Sequence, residues 1–147
     1  MKQVILETLK ALGFELAKKA KNAYMFEYEQ LKFLCTTERN DDEYLSINLP
    51  GIVKMDGESN GIAQELMDYI NLNMRYVKAF PVEDVVWISY EICLLDGMDM
   101  RECFKHAIDT LEDAAMRAYL LLSDMHMEDD GAGYDPAEVL NDDMEDE

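Results

Sequence analysis

Apolar positions along this chain recur first at helical spacing and then at strand spacing. Val4, Ile5, Leu9 and Leu12 fall three to four residues apart with Lys and Glu between them, which predicts an amphipathic helix over 2–13. Gly13 is a plausible terminator, although the pattern also resumes through Leu16 and Ala17. Three β-rich runs follow, over 23–29, 31–37 and 44–49, and in the first of them Tyr24, Phe26 and Tyr28 alternate onto one face. The links are too short for parallel crossovers, so the three runs make an antiparallel meander, and Pro50-Gly51 after them reads as a turn.

Ile62, Leu66, Tyr69, Ile70 and Asn73 define a second helix, begun by Ser59 or Asn60 as N-cap and ending near Arg75. Two more strands are expected over 76–80 and 85–94, joined through 81–84. The second run can also be scored as a helix opened by Pro81. Strand is preferred because Val85-Val86-Trp87-Ile88 is a poor helix start and Trp87, Ser89 and Glu91 alternate against Val86, Ile88, Tyr90 and Ile92. Asp96-Gly97 then turns the chain into a long helix over 99–123, whose buried face is expected to carry Phe104, Ile108, Leu111, Ala115, Ala118 and Leu122. The expected fold class is α+β in the order α-β-β-β-α-β-β-α, an antiparallel sheet packed against helices. No repeat interrupts that order.

Beyond Met125 the periodicity stops and the composition becomes acidic, with Gly131, Gly133 and Pro136 added. One domain over 1–124 and an acidic, disordered tail over 125–147 are therefore expected, with Ala137 to Leu140 able to form a helical turn on a partner. A formal net charge of −19, with only 13 Lys and Arg that nowhere cluster, argues against nucleic acid and anionic membrane as partners. Eleven acids lie between Asp124 and Glu147 with no Lys or Arg among them, so the body is only moderately acidic. Cys35, Cys93 and Cys103 are an odd set in apolar runs and read as reduced core residues of a cytoplasmic protein. The N-terminus carries Glu7 within its apolar stretch, unlike a signal peptide, and no run is long and apolar enough to span a bilayer.

Element order, length and acidity together resemble the type III secretion chaperone-like fold, and in particular the YbjN-like bacterial proteins that share it. The local support is the strand ending in Asp96-Gly97 followed by a helix opening Met100-Arg101-Glu102-Cys103-Phe104. What the resemblance implies, over about residues 1–124, is a small acidic homodimer that binds protein rather than turning over a substrate. Secretion chaperones of this fold hold an extended cargo segment through hydrophobic grooves or an added strand. The acidic tail departs from that compact pattern.

No enzymatic constellation stands out. His106 and His126 are twenty residues apart with no CxxC, HxxxH or HExxH, and structural or solvent-facing roles suit both. Asp129-Asp130-Gly131 looks like part of a calcium loop, but counting back from Glu138 puts Met127 at the first ligand position. No GxSxG, GxGxxG or GxxxxGK[ST] run occurs, and carboxylate pairs such as Asp41-Asp42 and Glu112-Asp113 are expected by chance in so acidic a chain. No catalytic residue, metal ligand or cofactor is assigned. Tyr24, Tyr28, Phe80, Trp87 and Tyr90 are the candidate partner-binding residues, each able to serve instead as core, and methionines such as Met67, Met74, Met98, Met100 and Met116 suit either use.

The function expected is that of a non-enzymatic, cytoplasmic, homodimeric protein-binding module, chaperone-like or adaptor. Its dimer would be made by the second helix and the last two strands. The alternatives are a small-ligand protein or enzyme whose site assembles only in three dimensions, and a domain that carries the tail as its functional part.

Overall fold

In a computed structural model, described over residues 2–38, 40–55 and 60–125, the elements are α1 (Lys2–Ala11), β1 (Ala17–Ala20), β2 (Ala23–Tyr28), β3 (Leu31–Glu38), β4 (Asp41–Lys54), α2 (Asn60–Asn73), β5 (Val77–Val82), β6 (Val85–Cys93) and α3 (Met100–Met125). Six strands form one sheet in the order β1-β2-β3-β4-β6-β5, with every neighbouring pair antiparallel. The α+β class holds, with one strand more than the spacing predicts.

Strand periodicity divides the sheet into two faces. Phe26, Phe33, Cys35, Leu45, Ile47, Leu49, Ile88 and Ile92 share one, and they join Ile5 and Leu9 of α1, Leu66 and Ile70 of α2, and Phe104, Ile108 and Leu111 of α3 in the main core. All three helices therefore lie on that face. Truncating a side chain at its centre, such as Phe33, fully buried and stacked on Phe26 with ring centroids 5.2 Å apart, costs about 3–5 kcal/mol. On the other face no helix packs among the described residues.

Three local expectations change. Residues 17–20 do not continue the first helix. Gly13, at φ 95°, ends it, and the Ala-Lys-Lys-Ala segment that follows pairs with β2 as an edge strand. Pro50-Gly51 is not a turn between elements: Gly51 takes φ 74° within a continuous β4, where the pairing with β6 slips between Leu49 and Val53. That is the signature of a bulge, which lets one strand bend across the core. Of the cysteines only Cys35 is core, its thiol pushed up to about 12 by burial, whereas Cys103 is half-buried and Cys93 is exposed. The Ser59 alternative for the α2 N-cap, Ala137 to Leu140 and the rest of the acidic tail from residue 126 lie outside the described residues.

The two sheet edges are finished differently. At β5, Asn71 of α2 holds Ala79 with both ends of its amide: its Nδ2 donates to the Ala79 carbonyl at 3.0 Å and its Oδ1 accepts from the Ala79 N–H at 2.7 Å. Ala79 thus faces outward, and by strand alternation so does Pro81, which has no N–H to offer. At β1 no strand among the described residues pairs on the outer side, and Lys18 and Lys19 are exposed.

Candidate functional site

The five aromatic residues singled out by sequence do not form one groove. Tyr24, Tyr28 and Tyr90 share the helix-bearing face, while Phe80 and Trp87 stand on the opposite one as a cross-strand pair. Tyr24 is half-buried opposite Lys18. Tyr28 is 37% exposed and meets Phe14 edge-on with centroids 5.8 Å apart. Its phenol is held above its ordinary value, first by the neighbouring Glu29 carboxylate and then by burial.

On the helix-free face, Trp87 reaches from β6 across β4 to pack against Ala23, Met25 and Leu34. Beneath this layer lies a row of buried polar groups, Ser46, Asn48 and Ser89, each 4% exposed or less. Asn48 Nδ2 donates to the Leu34 carbonyl at 2.9 Å and to Ser46 Oγ at 3.0 Å, and Ser46 is also hydrogen-bonded to Thr36. Lys78 pairs with Glu91 over the same face and lies 5.4 Å from the Phe80 ring centroid, with Glu91 as the main cause of its raised pKa. Among the described residues Trp87 Nε1 has no hydrogen-bond partner, although the atom is buried. An indole N–H in that state costs about 1–3 kcal/mol relative to a paired one.

Tyr90 belongs to a second cluster at one end of the helix side. Its hydroxyl is 2.7 Å from His106 Nδ1, and Tyr76 meets both rings, His106 edge-on at 5.0 Å and Tyr90 nearly parallel at 6.1 Å. Burial raises the Tyr90 phenol above its ordinary value. Tyr76 adopts φ 72° and is 65% exposed, a backbone state that a bulky residue rarely takes. The positive φ lets the chain turn from α2 into β5, and sequence spacing gave no sign of it. Exposed apolar side chains lie nearby in the chain at Leu72 and Leu95, and on the outer side of α3 at Met116 and Leu120.

Among the described residues no group of three or more His, Cys, Asp or Glu is placed to hold a metal ion, and no helix is long and apolar enough to cross a membrane. A solvent-open groove of about 570 Å³ lies at the β1 edge, lined by Phe14, Leu16, Lys19, Met25, Glu27 and Lys32 among others. Sequence reading missed this place because it treated the cations as scattered. Lys18, Lys19 and Lys21 in fact fall within four residues on β1 and the turn after it.

Neither a protein-family model nor a curated protein matches the chain. Among solved structures, the crystal structure of YbjN from E. coli, described as a "putative transcription regulator", superposes with a TM-score of 0.62 at 13% identity, covering 85% of this chain and 92% of that one. The fold is YbjN-like. At that identity the likeness extends to topology, as the resemblance around Asp96-Gly97 and the long last helix implies, and assigns no residue of this chain a role.

Proposed function

We propose that this chain is a non-enzymatic protein-binding module, an adaptor or chaperone-like protein of the cytoplasm, whose partner docks on the helix-free sheet face around Trp87 and Phe80. The observation that carries this reading is that, among the described residues, the buried Trp87 N–H has no partner and no helix covers its face. A partner that tilts the ring and offers a carbonyl trades an unpaired donor for a paired one, while Phe80 and the stem of Lys78 supply apolar area. The name given to YbjN suits a regulator that works through proteins. A net charge of −19 disfavours contact with DNA phosphates.

A homodimer accompanies this reading, made by α2, β5 and β6, with Leu72 at 83% exposure and Tyr76 as its apolar contacts. Sedimentation at tens of micromolar would return a dimer, and a strict monomer would end that part of the proposal. The binding site is tested by affinity capture from native lysate with the full chain and its Trp87→Ala/Phe80→Ser variant, each first shown to be folded. One specific protein retained by the former and lost by the latter is expected, together with a shift in the emission of the single tryptophan on binding. Equal retention by both would move the site elsewhere, and recovery of nothing but the protein itself would contradict the reading.

A further inference from the structure

The sheet face around Trp87 has an uneven supply of donors and acceptors. Among the described residues Trp87 Nε1 is the buried side-chain polar atom left without a hydrogen bond. The polar row beneath it is bonded within itself, Asn48 to Ser46 and to the Leu34 carbonyl, and Ser46 to Thr36. At the paired positions of β3, β4 and β6 the strand ladders take up the backbone N–H and C=O groups, so these positions offer no acceptor to an incoming N–H. Charge on this face is settled as well. Glu27 pairs with Lys32 and Lys78 with Glu91, so neither pair needs a counter-charge, in a chain of net charge −19. Phe80, Val82 and Trp87 are half-buried and share the face, which leaves apolar surface beside one unmet donor.

We propose that this face takes an uncharged, proline-rich segment of a partner protein in the polyproline II conformation, one of whose carbonyls accepts from Trp87 Nε1. The proposal rests on the Trp87 face being the docking site and names the chemistry that the face selects. Three backbone states are open to an incoming segment. A strand brings N–H groups to which the paired positions offer no acceptor, and each one buried unpaired costs about 1–3 kcal/mol. A helix bonds its own carbonyls along its length and, outside its last turn, has none for the indole. A proline-rich segment lacks most N–H groups, keeps its carbonyls unbonded and is already extended before it binds. Its pyrrolidine rings pack on the rings of Trp87 and Phe80 and on the stem of Lys78, whose Nζ lies 5.4 Å from the Phe80 ring centroid. Nε1 becomes available when the half-buried indole turns about its χ2 bond, a movement that the new hydrogen bond offsets.

The test uses the full chain, which has a single tryptophan, and a capped peptide of about ten prolines. Trp87 emission should change saturably with this peptide and stay unchanged with an equally long capped peptide of Ala and Gln. Affinity, read by calorimetry, should be insensitive to salt, because no charge is exchanged. Trp87→Phe keeps an apolar ring and removes the N–H, and it should weaken binding about fivefold to tenfold, with a loss of similar size in Phe80→Ser. Circular dichroism and the urea midpoint report whether each variant is folded. An equal response to both peptides, undiminished affinity in Trp87→Phe, or no binding of the proline peptide would overturn the proposal. If that last result came with protein capture that depends on Trp87 and Phe80, the proline chemistry would fall and the docking face would stand; without such capture the face would fall too. An emission change that follows protein concentration and not peptide would identify a second copy as the occupant and overturn the proposal.

Discussion

The two edges of the sheet solve one problem in two ways. At β5 the outward backbone groups of Ala79 are taken by the Asn71 side chain, and the outward Pro81 has no donor, so the edge is sealed by covalent structure and a local hydrogen-bonded clamp. At β1 no strand among the described residues pairs on the outer side, and the exposed Lys18 and Lys19 put charge there. A clamp excludes every strand, whereas a charge excludes some and selects others. The β5 edge is therefore sealed by structure, and the β1 edge is guarded by charge.

Breaking the clamp should have the largest effect. Asn71→Ala/Pro81→Val leaves the Ala79 N–H and carbonyl without their partner and restores a donor at 81. We expect a loss of about 1–2 kcal/mol in urea unfolding together with new concentration-dependent association in sedimentation. Association without destabilisation would mean that the Asn71 clamp contributes only by blocking. A smaller effect is expected at the hairpin next to the β1 groove. Glu29 and Gln30 form the two-residue link between β2 and β3 with φ values of 52° and 67°, both in a region that Asn-Gly fills without strain. Glu29→Asn/Gln30→Gly should raise stability by about 1 kcal/mol, read from the urea midpoint, and an unchanged or lower midpoint would show that Glu29 serves an interaction.

The smallest effect concerns pH. Burial first, then the charges of Glu29 and Asp109, hold the Glu112 carboxyl above its ordinary value of 4.5. The folded state therefore binds this proton more tightly than the unfolded state, so its contribution is favourable at acid pH and turns unfavourable as pH rises through the shifted value. Glu112→Gln should flatten the pH dependence of the urea midpoint just above 4.5 and slightly favour the variant at neutral pH. An unchanged slope would show that solvent screens the cluster.

Legibility from sequence followed the strength of the side-chain signal. The face of α3 was readable because Phe104, Ile108, Leu111, Ala115 and Ala118 keep a helical period over many turns, and all five are buried. Alternation likewise placed Trp87 opposite Ile88 and Tyr90, and the structure puts it on the helix-free face. What alternation could not supply was company: Tyr90 meets Tyr76 and His106 across three elements, and no spacing within one element reports that. β1 was invisible because Ala-Lys-Lys-Ala has neither β-branched residues nor an apolar face, and its pairing with β2 is a matter of backbone alone. Pro50-Gly51 misled in the opposite sense, since a dipeptide that ends most strands here bends one that continues.

The contrast between the edges is tested most directly by residue-level amide exchange on the full chain in high salt, where charge attraction to the lysines is screened. Ala79, bonded outward to Asn71, should then exchange slowly, while the outward amides of β1 exchange close to the rate of an unprotected chain. Equal protection at the two edges, or faster exchange at Ala79 than at β1, would contradict the account.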